Sequence, residues 1–364
     1  MAAQAVVTAS TEDGADRWAC IAGLVGWSHR GLRRPDLTLE RIRAALQQVS
    51  SIYRFIAGPR RPIHQGGAAA VPESLAVTLN ALFANPTVLP TVPKVVQELI
   101  HSFSRDDVAV EQIASRLEAD PVLSAKTLRL ANSAYFHVSR RIGTVNDALL
   151  MLGFVMVRNL VVSCGLAGTF KDAPGIDLPQ FWRYSLDTAC TARWLAHAGG
   201  HNADLAFTVG LVHGLGHLLM HAAQPAEMAP LDRLCHPLAA ERAALEQAEL
   251  GYHHGDVGAE LALRWKFPEA VTEPLKTVPD PLRGDPPDTM AALIHLAAWR
   301  ARVGALQIPS ELALQTCPTP AGAVIGLPVV WLPERATLGG DHPALRNAMP
   351  PLHELSGGLD AMLN

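Results

Sequence analysis

The chain has few aromatic residues (5% Phe, Trp and Tyr), few charges (18%), and five cysteines with no C-x-x-C pair among them. Each shortage excludes something. Sparse aromatics beside abundant Leu and Ala disfavour sheets, whose strands draw on aromatic and β-branched residues, and favour helices. Cys20, Cys164, Cys190, Cys235 and Cys317 are odd in number and widely spaced, which argues against a disulfide framework and a zinc ribbon. They read as inert, buried thiols of a reducing cytoplasm. G-x-S-x-G, a Walker-type loop, G-x-G-x-x-G and H-E-x-x-H are all missing, so the familiar esterase, nucleotide and zinc-protease chemistries have no anchor. The first residues lack the basic-then-apolar order of a signal peptide and carry Glu12, Asp13 and Asp16 instead.

What is present is a large apolar fraction, 49% of 364 residues, enough for a substantial folded core. The formal charge of −4 is unevenly spread: residues 1–70 hold nine Arg, no Lys and five acidic residues. A basic stretch such as Arg30–Arg43 suits nucleic acid or an acidic membrane. It has no interleaved aromatics on which bases could stack, so it reads as a solvated linker and helix face, and nucleic acid is not an expected partner. The longest apolar run, Leu205 to Ala223, is about long enough to cross a bilayer. It contains His213, His217 and His221, which mark it as a core helix rather than a membrane span. The chain is therefore expected to be cytoplasmic.

Three segments follow from the pattern: a basic extension over 1–79, a helical domain over 80–280 and a Pro-rich extension over 281–364. In the first, Leu39, Ile42, Leu46, Val49 and Tyr53 recur at helical spacing within 38–56. Nothing nearby covers that stripe, so it should dock on the main domain or on a second copy of the chain. In the second, Val92, Val96, Leu99, Ile100 and Phe103 share one face, and Val110, Ile113, Ala114 and Leu117 another. Asp120-Pro121 is a strong helix start, with Asp as N-cap and Pro at the first helical position. Thr144-Val-Asn-Asp147 opens another, and Asn132-Ser133 should close one by holding free backbone groups. Gly153 breaks the pattern before 154–170. Further helices are predicted near 180–198, 203–222, 239–251, 255–266, 268–277 and 288–303, with terminal helices within 345–363. Period-2 alternation is absent over any useful length. The fold class is all-α, with poorly structured flanks.

Several pieces, taken in order, resemble the HDOD family, output-domain relatives of HD-type metal-dependent phosphohydrolases in bacterial signalling. They are Leu89–Pro93, Asp120–Ser133, Ile142–Gly153, Phe181-Trp182, Ala206–His213, Glu249–His254, Val257–Ala259 and Trp265–Pro268. Asp120, Pro121, Asn132, Ser133, Trp182, Gly210, Gly258 and Trp265 have structural explanations: caps, close helix approach, and large buried surfaces at the two tryptophans.

The resemblance also implies where a catalytic site would stand and what it lacks here. Gly210-Leu-Val-His-Gly-Leu-Gly216 is similar to a G-L-L-H-D-I-G core in which Gly214 replaces the Asp. The first His of such a site corresponds to Tyr184, the late Asp to Ala298, and no His-His pair occurs near Thr277-Val278. Two ligands remain by this correspondence, His213 and His254. A hydrolytic metal needs about three protein ligands and an open position for water. The expectation is a non-enzymatic regulatory module, binding a signalling protein or small ligand, with no cofactor. The competing expectation is a divergent phosphohydrolase holding a divalent metal at His213 and His254 with His217 or His253. His213, His217 and His221 recur every four residues, so neighbours would share a helix face. In the plainer reading His213 is a hydrogen-bonded core residue, and the other two approach a helix end that favours cations.

Overall fold

The computed structural model describes residues 90–102, 120–133, 138–327 and 349–357, with isolated positions between, all within the unit Pro72–Asn364. The amphipathic segment 38–56, the Arg-rich stretch, Cys20 and most of the stretch around Val110 and Ile113 lie outside the described residues.

Helices are the only regular elements among the described residues. Helix α1 (Lys94–His101) buries Val96, Leu99 and Ile100. Helix α2 (Pro121–Ala131) begins where the sequence places it: Asp120 Oδ1 accepts from the N–H groups of Val122 and Leu123, both at 3.0 Å. Asn132 closes it and does more. Its Nδ2 donates to the carbonyls of Leu128 (2.7 Å) and Ile142 (2.8 Å), while its Oδ1 accepts from Ile142 N–H (2.7 Å), tying the helix end to the next segment. Ser133 does not share that work, because its Oγ is buried without a hydrogen-bond partner. Helix α3 (Val145–Leu152) is capped by Thr144, whose Oγ1 accepts from Asp147 N–H at 2.9 Å. Gly153, at φ 81°, ends it and turns the chain into α4 (Phe154–Thr169).

Helices α5 (Leu178–Gly199) and α6 (Ala203–Val212) pack on each other, and α12 (Thr289–Ala305) packs on both. Around them lie α7 (Leu215–Ala223), α8 (Pro225–Leu234), α9 (Arg242–Leu250), α10 (His254–Arg264) and α11 (Glu269–Thr277). Short helices α13 (Ser310–Thr316), α14 (Thr319–Val324) and α15 (Leu352–Leu355) complete the described chain. Helix α12 follows the Pro-rich loop yet is a core helix, with Ile294, Leu296 and Trp299 among its buried residues.

Three expectations change. The helix over 203–222 is two helices, broken at His213-Gly214, where Gly214 sits at φ −93°, ψ 0°. Helix α8 escaped the pattern because only Met228 and Leu231 are buried, too few to draw a stripe. Trp182 is buried, edge-on to Phe181 at 5.4 Å, whereas Trp265 is only half-buried against Phe170. The apolar stretch Ala203–Ala223 is long enough to cross a membrane, but 89% of its apolar window is buried inside the protein. None of the four described cysteines forms a disulfide, and burial pushes the Cys164 thiol up to about 11, consistent with an inert group.

Candidate functional site

Glycines set the geometry of the apolar stretch. A Cβ on Gly210 would lie 2.9 Å from Ala189 Cα, so α6 rests against the α5 backbone. This brings His213 beside Tyr184. His213 Nδ1 donates to the Gly210 carbonyl at 2.6 Å, and its Nε2 accepts from the Tyr184 hydroxyl at 3.1 Å. The charge of nearby Arg302 acts on the Tyr184 hydroxyl, while the Arg302 Nε donates to the Leu238 carbonyl. Both imidazole nitrogens are therefore used. Burial is the main cause that lowers the His213 pKa to about 3; the Gly210 carbonyl opposes it, and His254 and Arg302 add to it.

Gly214 is packed shut. A Cβ there would meet the Phe181 ring at 2.9 Å, so the ring occupies the space an Asp would need. Ala298 is buried on α12 and offers no ligand, and Arg302, one turn on, brings a cation to the Tyr184 hydroxyl. Tyr184, His213 and Gly214, with the Phe181 ring, thus form a closed, satisfied cluster. It does not fit a metal ion, because its one imidazole has no lone pair to spare and its neighbouring charge is positive.

One turn along α7 a second cluster forms. A Cβ on Gly216 would lie 1.9 Å from the His254 carbonyl oxygen and 2.8 Å from Gly258 N, so α7 and α10 touch backbone to backbone. That contact stacks the rings of His217 and His254 at 3.7 Å with 22° between their planes. Both face Glu246 on α9. His254 Nδ1 lies 2.7 Å from Oε2, which also accepts the His254 backbone N–H, and His217 Nδ1 lies 3.5 Å from Oε1. Glu246 and Arg242 are fully buried and paired at 2.9 Å, and Arg242 also meets Asp232 at 2.8 Å. His217, Glu246 and His254 offer ligand atoms within 4.8 Å of one another. Burial would raise the Glu246 pKa, but the facing His254 ring, its hydrogen bond and the nearby His217 ring outweigh this and hold it well below the usual carboxylate range. Burial, with His254 adding to it, pushes His217 well below its ordinary value.

The structure sorts the sequence candidates. His217 and His254 come together, and His213 stands apart, hydrogen-bonded to Gly210 and Tyr184. His253 is the N-cap of α10, its Nδ1 accepting from the N–H groups of Gly255 (3.1 Å) and Asp256 (3.3 Å), which uses the lone pair a metal would need. His221 is buried between the His217 carbonyl (2.7 Å) and Asp232 (3.1 Å), not displayed at a helix end. The break at Gly214 separates His213 from the other two, and along the unbroken α7 His217 and His221 meet different neighbours, Glu246 and Asp232. Glu246, Arg242, Asp232 and Arg302 were not found by sequence reasoning. Arg242 and Glu246 stand four apart, the spacing of an ordinary exposed ion pair, and only the fold shows that they are buried. A small cleft of about 100 Å³, lined in part by Asp177, Phe181, His236 and Leu238, lies beside the closed cluster. It is well under the roughly 300–1,000 Å³ of ordinary ligand pockets.

Comparisons with known proteins agree with this architecture. A solved structure from Shewanella amazonensis SB2B, provisionally named a phosphohydrolase, is 28% identical with a TM-score of 0.60, covering 78% of this chain and 96% of that one. An HDOD domain protein of unknown function from Geobacter sulfurreducens gives a TM-score of 0.62 at 23% identity, over 80% of this chain and 98% of that one. An uncharacterized protein of Treponema pallidum (strain Nichols) is 27% identical over 190 residues, 52% of this chain, and the chain spans only 37% of that relative's length. The model of the HDOD domain matches residues 89–281, more than half of the sequence. The chain belongs to the HDOD domain family.

Proposed function

We propose that this protein is a non-catalytic module of bacterial signal transduction, working by association with a partner protein or small ligand. The observation that carries the reading is the closure of the HD-type position: the Phe181 ring fills the space beside Gly214, and both nitrogens of His213 are engaged. A hydrolase needs several free ligand atoms for its metal and room for substrate, and against that stand the two engaged nitrogens of His213 and the Phe181 ring beside Gly214. A solved structure from Marinobacter aquaeolei VT8, provisionally named a signal-transduction protein, shares the fold at a TM-score of 0.57.

A second reading, a phosphohydrolase rebuilt around His217, Glu246 and His254, is favoured by the proximity of those three groups. One assay separates the two. The full chain, loaded in turn with Mn²⁺, Zn²⁺ and Mg²⁺, is offered an activated phosphodiester and a panel of nucleotides. The account expects no turnover above the metal-only background. Metal-dependent turnover abolished by His254→Ala would replace it with the hydrolase reading.

A further inference from the structure

We infer that His217, Glu246 and His254 form a binding site for a borderline transition-metal dication of the zinc class, which shares His254 with the HD-type set and leaves out His213. Three observations converge. Two imidazoles and a carboxylate is a zinc-type donor set, and the ligand atoms lie within 4.8 Å of one another. Donors around one zinc ion stand about 3.5 Å apart, so modest ring rotation closes the set. The second observation is independent. His217 Nδ1 is buried with no hydrogen-bond partner, and it faces Glu246 at 3.5 Å, too far to be satisfied by it. A donor left unmet in the interior is what a ligand would complete.

The third is charge and support. Asp232 and Glu246 bring two carboxylates against one guanidinium, Arg242, with the His221 ring on Asp232 (3.1 Å) and the His254 ring on Glu246 (2.7 Å), so carboxylates outnumber guanidinium groups beside the stacked rings. Arg242 grips Glu246 Oε1 from behind, the kind of outer contact that orients a ligating carboxylate. His254 is the least buried of the three, its side chain 13% exposed, so the cluster is open to solvent on that side. An ion there would tie α7, α9 and α10 together and give the module metal-bound and metal-free states. The inference does not depend on the absence of turnover.

The test uses the full chain, stripped with a chelator and titrated with Zn²⁺, with Co²⁺ as a spectroscopic probe. Bound zinc is measured by mass spectrometry, and visible Co²⁺ absorption reports the donor set. The expected result is about one equivalent of zinc in the parent and in His213→Ala, with affinity reduced tenfold or more in His254→Ala and in Glu246→Gln. Circular dichroism identifies any variant that fails to fold, and His254→Gln then serves as the milder substitute. No zinc retained by the parent overturns the site. Equal zinc in His254→Ala overturns it as well, by placing the ion elsewhere. Turnover by the zinc-loaded chain would overturn the non-catalytic function while leaving the site intact.

Discussion

Two polar clusters sit one helical turn apart on the same apolar stretch, and they have been built to opposite ends. Around His213 both ring nitrogens are used: one donates to the Gly210 carbonyl and the other accepts from the Tyr184 hydroxyl. Around His217 the wiring is incomplete, with a ring nitrogen left unpartnered 3.5 Å from a buried carboxylate. A satisfied cluster is a structural element, because nothing remains to bind. An unsatisfied one, held in place by a backbone contact at Gly216, is where binding energy is still available. The difference arises at Gly214, where the break between α6 and α7 turns the two histidines into different surroundings.

The largest expected effect falls on the incomplete cluster. Arg242→Met would leave the buried Glu246 and the part-buried Asp232 without their guanidinium, at a cost of about 3–5 kcal/mol, read from urea denaturation. A cost under ~1 kcal/mol would mean that the pair is not buried in solution. Gly216→Ala comes next. Its methyl group would press on the His254 carbonyl, and a loss of about 3 kcal/mol is expected from overpacking, with the ring stack disturbed.

The closed cluster predicts a pH response of definite sign. His213 takes up a proton near 6.5 when unfolded but only near about 3 when folded. The unfolded chain therefore holds more protons between those values, and stability present above pH 6.5 is lost as the pH falls toward 3, by up to about 1.4 kcal/mol per unit. Melting temperature across that window should fall less steeply in His213→Gln; an identical slope would remove His213 as the cause. Gly214→Asp, which writes the His-Asp pair back into the sequence, should cost about 1–3 kcal/mol against Phe181 and bring no metal to His213. Metal bound through His213 in that variant would show the position to be adaptable rather than closed. The smallest effect is Tyr184→Phe, about 1 kcal/mol for one neutral hydrogen bond.

Much of the fold was legible. Asp120 and Thr144 read as caps because a side-chain oxygen before a helix has a fixed purpose, whereas the close approach read at Gly258 is enforced at its neighbour Gly216, a Cβ on Gly258 coming no nearer than 3.4 Å to Gly216 N. The all-α class followed from periodicity. The site was half legible. The replacement of Asp by Gly214 pointed to a lost function, but sequence alone could not show Phe181 moving into the gap. His217 and His254 were named, yet grouped with His213, the first on the assumption of an unbroken helix and the second by the family resemblance. Glu246 was invisible, since a carboxylate four residues from an Arg looks the same on a surface as in a core. Long-range packing decides that, and local spacing does not record it.

The most direct test of the account reads the histidine rings themselves. Selective ¹⁵N-imidazole labelling and NMR of the full chain, followed from pH 7 to pH 5 and then with Zn²⁺ at pH 7, reports tautomer and charge at each ring. The account predicts that His213 stays neutral with its proton on Nδ1 and is unmoved by zinc, while the His217 and His254 signals shift together. A His213 ring that titrates near 6.5 or moves on zinc addition would contradict it.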